Sequence, residues 1–361
     1  MFCYRMGIAA PKGVAVRRFW SLALQLSLWG AASFPLWADE DAAILAVMGA
    51  PGEARFEPLF EQSMDRLRQV AERGQTGLTV IGLEVDDQEN DKTRLQRALE
   101  SYAGPSAAPL WLIYVGHGTF DGEVATLNLR GPDVSQNELA EWIAPIERPM
   151  VIALGGSSSA PFLPVLSGDN RVVMTATRDG FESSYARFGE YFTQALLGLD
   201  ADLDRDGQVS ALEAFLKASA DTRTFYEQER RLATEHALID DNGDGLGSPG
   251  DWFRGVRPVQ RPENAEELDG YRAAQLTLIP SEEEQSLTPS LRARRDALEL
   301  ELIELRDGQK DLDRETYEVQ LESLILKLAE IYVPGFQAEE VSETGELRIQ
   351  LNREPLPPVQ P

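Results

Sequence analysis

Leu110-Trp111-Leu112-Ile113-Tyr114-Val115-Gly116-His117-Gly118 is an apolar run that ends in a histidine between two glycines. A second run, Met150-Val151-Ile152-Ala153-Leu154, ends in Gly155-Gly156-Ser157-Ser158-Ser159. Short apolar runs stopped by glycine read as strands buried on both faces. Working outward, residues 42–49 are a similar run that stops at Gly49 and Pro51. Phe56, Leu59, Phe60, Met64, Leu67 and Val70 have helical spacing over 56–73. Leu78–Leu83 is a further strand, and 92–102 a helix with Leu95, Ala98 and Leu99 on one face. A helix is expected over Gln136–Ile143, a strand over Arg171–Ala176, and a helix carrying Phe188, Tyr191, Phe192 and Leu196. Strands alternating with helices predict an α/β fold, a mostly parallel sheet flanked by helices. Function in such sheets gathers at the carboxyl ends of the strands, just where His117 and Ser157 fall.

A histidine at one strand end can serve as a base, and the Gly118 N–H beside it can face an oxyanion. Ser157 stands where a nucleophile is wanted. The only cysteine is Cys3, near the N-terminus. These loops resemble the caspase and legumain clan, especially bacterial caspase-like, C13-type proteins. The resemblance is carried by Tyr114–Gly122, by Val151–Phe162, by Leu166–Thr177, and by Glu182 with Arg187-Phe188-Gly189-Glu190-Tyr191-Phe192. It implies a caspase–hemoglobinase fold over most of residues 40–200, with His117 as the clan's histidine. The cysteine position falls on Ser157, with Ser158 or Gly156 one residue away. A thiol beside an imidazolium can be a stable thiolate, whereas a serine hydroxyl needs an oriented base during the reaction. The expectation is therefore a pseudo-peptidase that acts as a binding or scaffold module. The alternative is a peptide hydrolase using a Ser157/His117 dyad. Asp121 reads as a turn closer, and His236 as a structural helix residue.

Past residue 198 the chain changes to aspartate and glycine clusters. Asp202-Leu203-Asp204-Arg205-Asp206-Gly207-Gln208-Val209-Ser210-Ala211-Leu212-Glu213 fills every position of an EF-hand loop. Asp202, Asp204 and Asp206 supply carboxylates, Gln208 its backbone carbonyl, and Glu213 both oxygens. Helices are expected on either side, ending near Leu199 and starting near Ser210. A second loop offers Asp240, Asn242, Asp244, the Leu246 carbonyl and Asp251, with Gly245 at the turn. Its closing residue is an aspartate, one carbon shorter than glutamate, and Pro249-Gly250 opposes a regular exiting helix. Calcium is the expected cofactor at both.

The formal charge is -26, which repels phosphate backbones and excludes nucleic acid as a partner. Residues 1–38 carry Arg5, Lys12, Arg17 and Arg18 and no acid, then an apolar stretch from Phe19 to Trp29 and a cleavage point near Trp37-Ala38-Asp39. They read as a signal peptide, so the protein is expected to be exported, to the periplasm or beyond, with no stable membrane span after cleavage. The expected organisation is an α/β domain over 39–198, a calcium region over 199–260 and a linker over 261–287. A helical hairpin or coiled coil follows over 288–333, then a disordered tail over 334–361. Thr288-Pro289 starts the hairpin and Pro334 stops it. Leu291, Leu298, Leu302 and Leu305 face Tyr317, Leu321, Leu324, Leu328 and Ile331, a surface that could also join copies of the chain. A peptide or protein partner is the remaining expectation.

Overall fold

A computed structural model describes residues 42–84, 88–332, 336–339 and 348–351. The expected signal peptide lies outside the described residues. The chain runs through β1 (Ala43–Met48), α1 (Glu57–Gly74), β2 (Gly77–Ile81), α2 (Asp91–Glu100) and β3 (Leu110–Val115). It then forms a ribbon of β4 (Gly118–Phe120), β5 (Ala125–Leu127) and β6 (Val134–Ser135), followed by α3 (Gln136–Ile143). Next come β7 (Met150–Leu154), α4 (Leu163–Leu166), β8 (Arg171–Thr175), α5 (Phe188–Ala195) and α6 (Ala211–Gln228). β9 (Leu238–Asp240) and β10 (Ser248–Pro249) follow, then the short pair β11 (Phe253–Arg254) and β12 (Arg257–Pro258). The remaining elements are α7 (Tyr271–Ala274), α8 (Glu282–Ser286), α9 (Pro289–Asp307), α10 (Arg314–Tyr332), β13 (Phe336–Glu339) and β14 (Arg348–Leu351).

The central sheet has seven strands in the order β10-β9-β8-β7-β3-β1-β2. Pairing is parallel from β2 through β8 and antiparallel at β9 and β10. Alternation along each strand splits the core between the two faces. Ile44, Ala46 and Met48 meet Phe60, Met64 and Leu67 of α1, Phe188 and Phe192 of α5 and Phe215 of α6. Ala43, Leu45 and Val47 meet Leu95 and Leu99 of α2, Leu139 and Ile143 of α3, and Leu163 and Leu166 of α4. The α/β class and the flanking helices are as the apolar pattern predicts.

Residues past 198 continue the same sheet. β9 pairs with β8 through Val173–Asp240 and Thr175–Leu238, so the stretch read as a calcium region contributes strands to the α/β core. Leu238-Ile239 is too short a run to stand out from the aspartates that follow it. The stretch read as a linker holds α7 and α8, the latter capped by the Ser281 hydroxyl on Glu284 N–H. In α9 the Thr288 hydroxyl caps Leu291 N–H with Pro289 in the first turn. Leu298 and Leu305 pack against Leu324 and Ile331 of α10, the expected hairpin seam. Within the tail read as disordered, β13 and β14 pair antiparallel. The other tail residues lie outside the described ones.

Candidate functional site

β3 and β7 are neighbours, so the loops that follow them meet at one edge of the sheet. The Tyr114 hydroxyl, buried in β3, donates to the backbone carbonyls of His117 (2.5 Å) and Asn128 (3.1 Å), which pins the histidine loop to the ribbon. The two loops then join through Ser157 and Gly118. The Ser157 hydroxyl accepts the Gly118 N–H at 3.1 Å and donates to the Gly118 carbonyl at 3.1 Å. Ser157 is 3% exposed. The backbone donor expected to face an oxyanion is thus already held by the residue in the nucleophile position.

His117 points elsewhere. Its Nε2 lies 3.2 Å from the Pro51 carbonyl, and its ring is enclosed by Phe56, Phe60 and Tyr185 at centroid distances of 4.8, 5.4 and 5.7 Å. Burial lowers its pKa, partly offset by the Pro51 carbonyl and the charge of Glu53. Among the described residues no hydrogen bond joins His117 to Ser157. Asp121 closes its turn by accepting the Glu123 and Val124 N–H groups, as expected.

Ser158 is the strained member of the serine run. Its φ is +55°, a left-handed conformation that favours glycine. Its N–H donates to the Glu182 carbonyl at 3.0 Å, and among the described residues its buried hydroxyl has no hydrogen-bond partner. Ser158→Gly is expected to raise stability by about 1 kcal/mol, because relief of strain and of an orphaned hydroxyl outweighs the added unfolded-state entropy. A urea melt checks this, and a lower midpoint would show that the hydroxyl has a role in the folded state. Ser159 is fully used: it accepts the Ala176 N–H, and Thr177 accepts that of Ala160.

A cavity of about 400 Å³ opens beside the histidine, lined by Phe56 and Tyr185 from its aromatic enclosure together with Phe225 and Tyr226. Arg55, Arg187 and Arg231 also line it. Arg187 stacks on Phe225 at 3.8 Å, and Arg55 faces Phe56 at 4.7 Å and pairs with Glu53 in solvent. Arginines converging on one cleft stand out in a chain of charge -26. Buried Glu235 fixes this wall by accepting the Arg187 and Phe188 N–H groups and the Tyr226 hydroxyl. Desolvation raises its pKa.

His236, read from sequence as a helix residue, lies instead in the irregular segment that leads into β9. Its Nδ1 is 2.5 Å from Glu182 Oε1, and its N–H donates to Glu182 Oε2 at 3.1 Å. No local pattern announces either the arginine cleft or this pair, since each joins segments far apart in sequence.

The two aspartate loops share one internal design. Asp202 accepts the Gly207 N–H, Asp204 that of Asp206, and Asp206 that of Gln208. Asp240, Asn242 and Asp244 accept from Gly245, Asp244 and Leu246 in the same order. Arg205 and Gly207 take φ of +66° and +85°, and Gly243 and Gly245 take +84° and +77°. The loops differ in how they close. Ser210 caps α6 and Glu213 turns back into the first loop, its Oε1 accepting the Leu203 and Asp204 N–H groups and its Oε2 the Ser210 N–H and hydroxyl. In the second loop β10 takes the place of a helix, and Asp251 is exposed in a 3-10 turn. Asp240 is instead clasped by the Ser167 hydroxyl. Among the described residues, Asp202, Asp204 and Asp206 are the one acidic trio whose oxygens lie within 4.8 Å of one another. Asp204 is pushed up to about 6, by burial first and then by Glu213 and Asp206. The helix expected to enter the first loop near Leu199 is α5, which ends at Ala195 and is followed by a 3-10 turn, Leu199–Ala201.

No protein-family model matches the chain, and no curated protein matches it. Among solved structures it is similar to the Drosophila initiator caspase Dronc, at 12% identity over 65% of this chain and 94% of that one, with a TM-score of 0.38. It is also similar to caspase-1 from Spodoptera frugiperda, at 13% identity over 56% of this chain and 86% of that one, with a TM-score of 0.36.

Proposed function

We propose that this chain is an exported, calcium-binding, caspase-like pseudo-peptidase whose cleft binds acidic peptide segments without cutting them. The observation that supports this reading most is the closed Ser157–Gly118 contact, in which one hydroxyl occupies both the N–H and the carbonyl of Gly118. Hydrolysis through a Ser157/His117 dyad would need Ser157 to leave Gly118 and His117 to leave Pro51. The arginines and aromatic rings of the cleft suit a carboxylate on a short side chain. Calcium fits the first loop: its donors are all oxygens, and among the described residues no ion pair joins the crowded carboxylates of Asp202, Asp204 and Asp206. Asp202, Asp204, Asp206, the Gln208 carbonyl and Glu213 would hold the ion. Asp240, Asn242, Asp244 and the Leu246 carbonyl would hold a second, with Asp251 reaching it only by moving. Export rests on the leader-like residues 1–38. Among the described residues no helix is long and apolar enough to cross a membrane. The hairpin is the proposed surface for joining copies.

A labelled peptide rich in aspartate tests the binding. It is expected to bind and to remain uncut over a day with calcium. Arg187→Gln should weaken binding about tenfold, and rising salt should weaken it further. Cleavage that disappears in His117→Ala would overturn the pseudo-peptidase reading in favour of the dyad.

A further inference from the structure

We infer that residues 269–281 form a strap that couples the two aspartate loops, so that calcium held by one raises the affinity of the other. The inference rests on the proposed reading of both loops as calcium sites.

The strap lies in the stretch read from sequence as a linker, and each half of it is fastened to one loop. The first half holds the second loop. Asp241, next to Asp240, accepts the Gly270 N–H at 2.7 Å and the Ala273 N–H at 2.8 Å. Asp269 accepts the Asp241 N–H at 3.2 Å and the Ser248 hydroxyl at 2.5 Å. Asp241, Asp269 and Ser248 are all buried, where hydrogen bonds are stronger than in water. The other half holds the first loop. The Leu276 carbonyl accepts the Ala211 N–H at 2.8 Å, and the Thr277 hydroxyl donates to the Val209 carbonyl at 3.0 Å. Ser210 and Thr277 form an isolated antiparallel bridge. The Ser281 N–H donates to the Gln208 side-chain carbonyl at 3.2 Å, while the backbone carbonyl of the same Gln208 is a proposed ligand.

Along the strap Ala273 and Leu278 are buried in the core that α1, α5 and α6 share with the sheet, so the two halves are packed on one surface. Among the described residues no strand pairing joins one loop directly to the other. The strap's contacts with the first loop all fall on residues 208–211, its exit half. Gln208 and Glu213 would give up freedom on taking an ion, and Leu276 to Ser281 would give it up with them. Ordering of the strap is then already complete when the second loop binds against Gly270 and Ala273, which leaves less entropy for that loop to lose. By linkage the effect is mutual: the second loop favours the first by the same factor.

The test is amide hydrogen exchange on the full chain, followed by mass spectrometry across a calcium chloride titration. Peptides covering 202–213, 240–251 and 269–281 report the first loop, the second loop and the strap separately. Calcium is expected to protect all three in wild type. Asp204→Ala, at an exposed ligand position, removes the first site, and the midpoint for 240–251 should then move to about fivefold more calcium. Thr277→Val keeps every proposed ligand and removes the hydroxyl that holds Val209, and the same midpoint should move about threefold in the same direction. A 240–251 midpoint that stays put in Asp204→Ala would show the loops to be independent and overturn the inference. A midpoint moved by Asp204→Ala but not by Thr277→Val would route the coupling elsewhere and overturn the strap's part in it. Failure of calcium to protect either one of the loops in wild type would remove that loop as a site, and the inference with it.

Discussion

Glu213→Ala is expected to lower stability by about 3 kcal/mol in the presence of a chelator, the largest single-residue effect in the first aspartate loop. Glu213 is 1% exposed, and its carboxylate accepts from three backbone N–H groups and one hydroxyl. Hydrogen bonds to an ionised acceptor are the stronger kind, and alanine leaves their donors unpaired at a buried site. The same change removes one half of the box that caps α6, which by itself is worth about 1 kcal/mol. Guanidinium unfolding with chelator reads this network alone. Repeating it with calcium reads the ligand role, because an ion that binds only the folded state adds about 2.7 kcal/mol at a hundredfold excess over its dissociation constant. The calcium-induced gain should shrink in the variant, with the second loop supplying what remains. Equal midpoints in chelator would remove the network from the stability of the fold. An undiminished calcium gain would remove Glu213 as a ligand.

Gly118→Ala should cost about 2–3 kcal/mol and part the two strand-end loops. A methyl at Gly118 would sit 2.2 Å from the Ser157 carbonyl oxygen and 3.1 Å from that of Thr126. Both are backbone atoms, one after β7 and one in β5, so neither can swing aside as a side chain would. Gly118 also pairs with Leu127 in the ribbon, and a shift there would carry β4 with it. The glycine is therefore required by close approach of backbones, whatever its N–H does in chemistry. Ser157→Ala, which removes only the hydroxyl, should cost less, about 1–2 kcal/mol. Urea midpoints for the two variants check the order. A Gly118→Ala protein as stable as wild type would mean that the loops are not in contact.

What could be read in advance was local. The runs at Leu110–Val115 and Met150–Leu154 announced buried strands because a strand covered on both faces needs apolar side chains on both. Asp202 to Glu213 announced a tight acidic loop because its carboxylates come from one short segment at fixed offsets. His117 and Ser157 were expected at neighbouring strand ends, and they lie there, each spending its polar atom on backbone, Pro51 for one and Gly118 for the other. Backbone acceptors leave no mark in a sequence. His236 was misplaced on a helix for a related reason, since its partner Glu182 comes from a distant turn.

The amino-acid sequence by itself determined the α/β class, the strand ends where His117 and Ser157 lie, and the spacing of the carboxylates in the first aspartate loop. These follow from periodicity and from contacts within one element. Only the tertiary structure decided that β9 joins the sheet, that Asp251 is exposed in a 3-10 turn while Glu213 reaches back into its own loop, and that Ser157 closes on Gly118. It also decided that Arg55, Arg187 and Arg231 line one cavity with Phe56 and Tyr185. The physical reason is common to all of these: each depends on which distant segments the packing of helices against the sheet brings within hydrogen-bond reach.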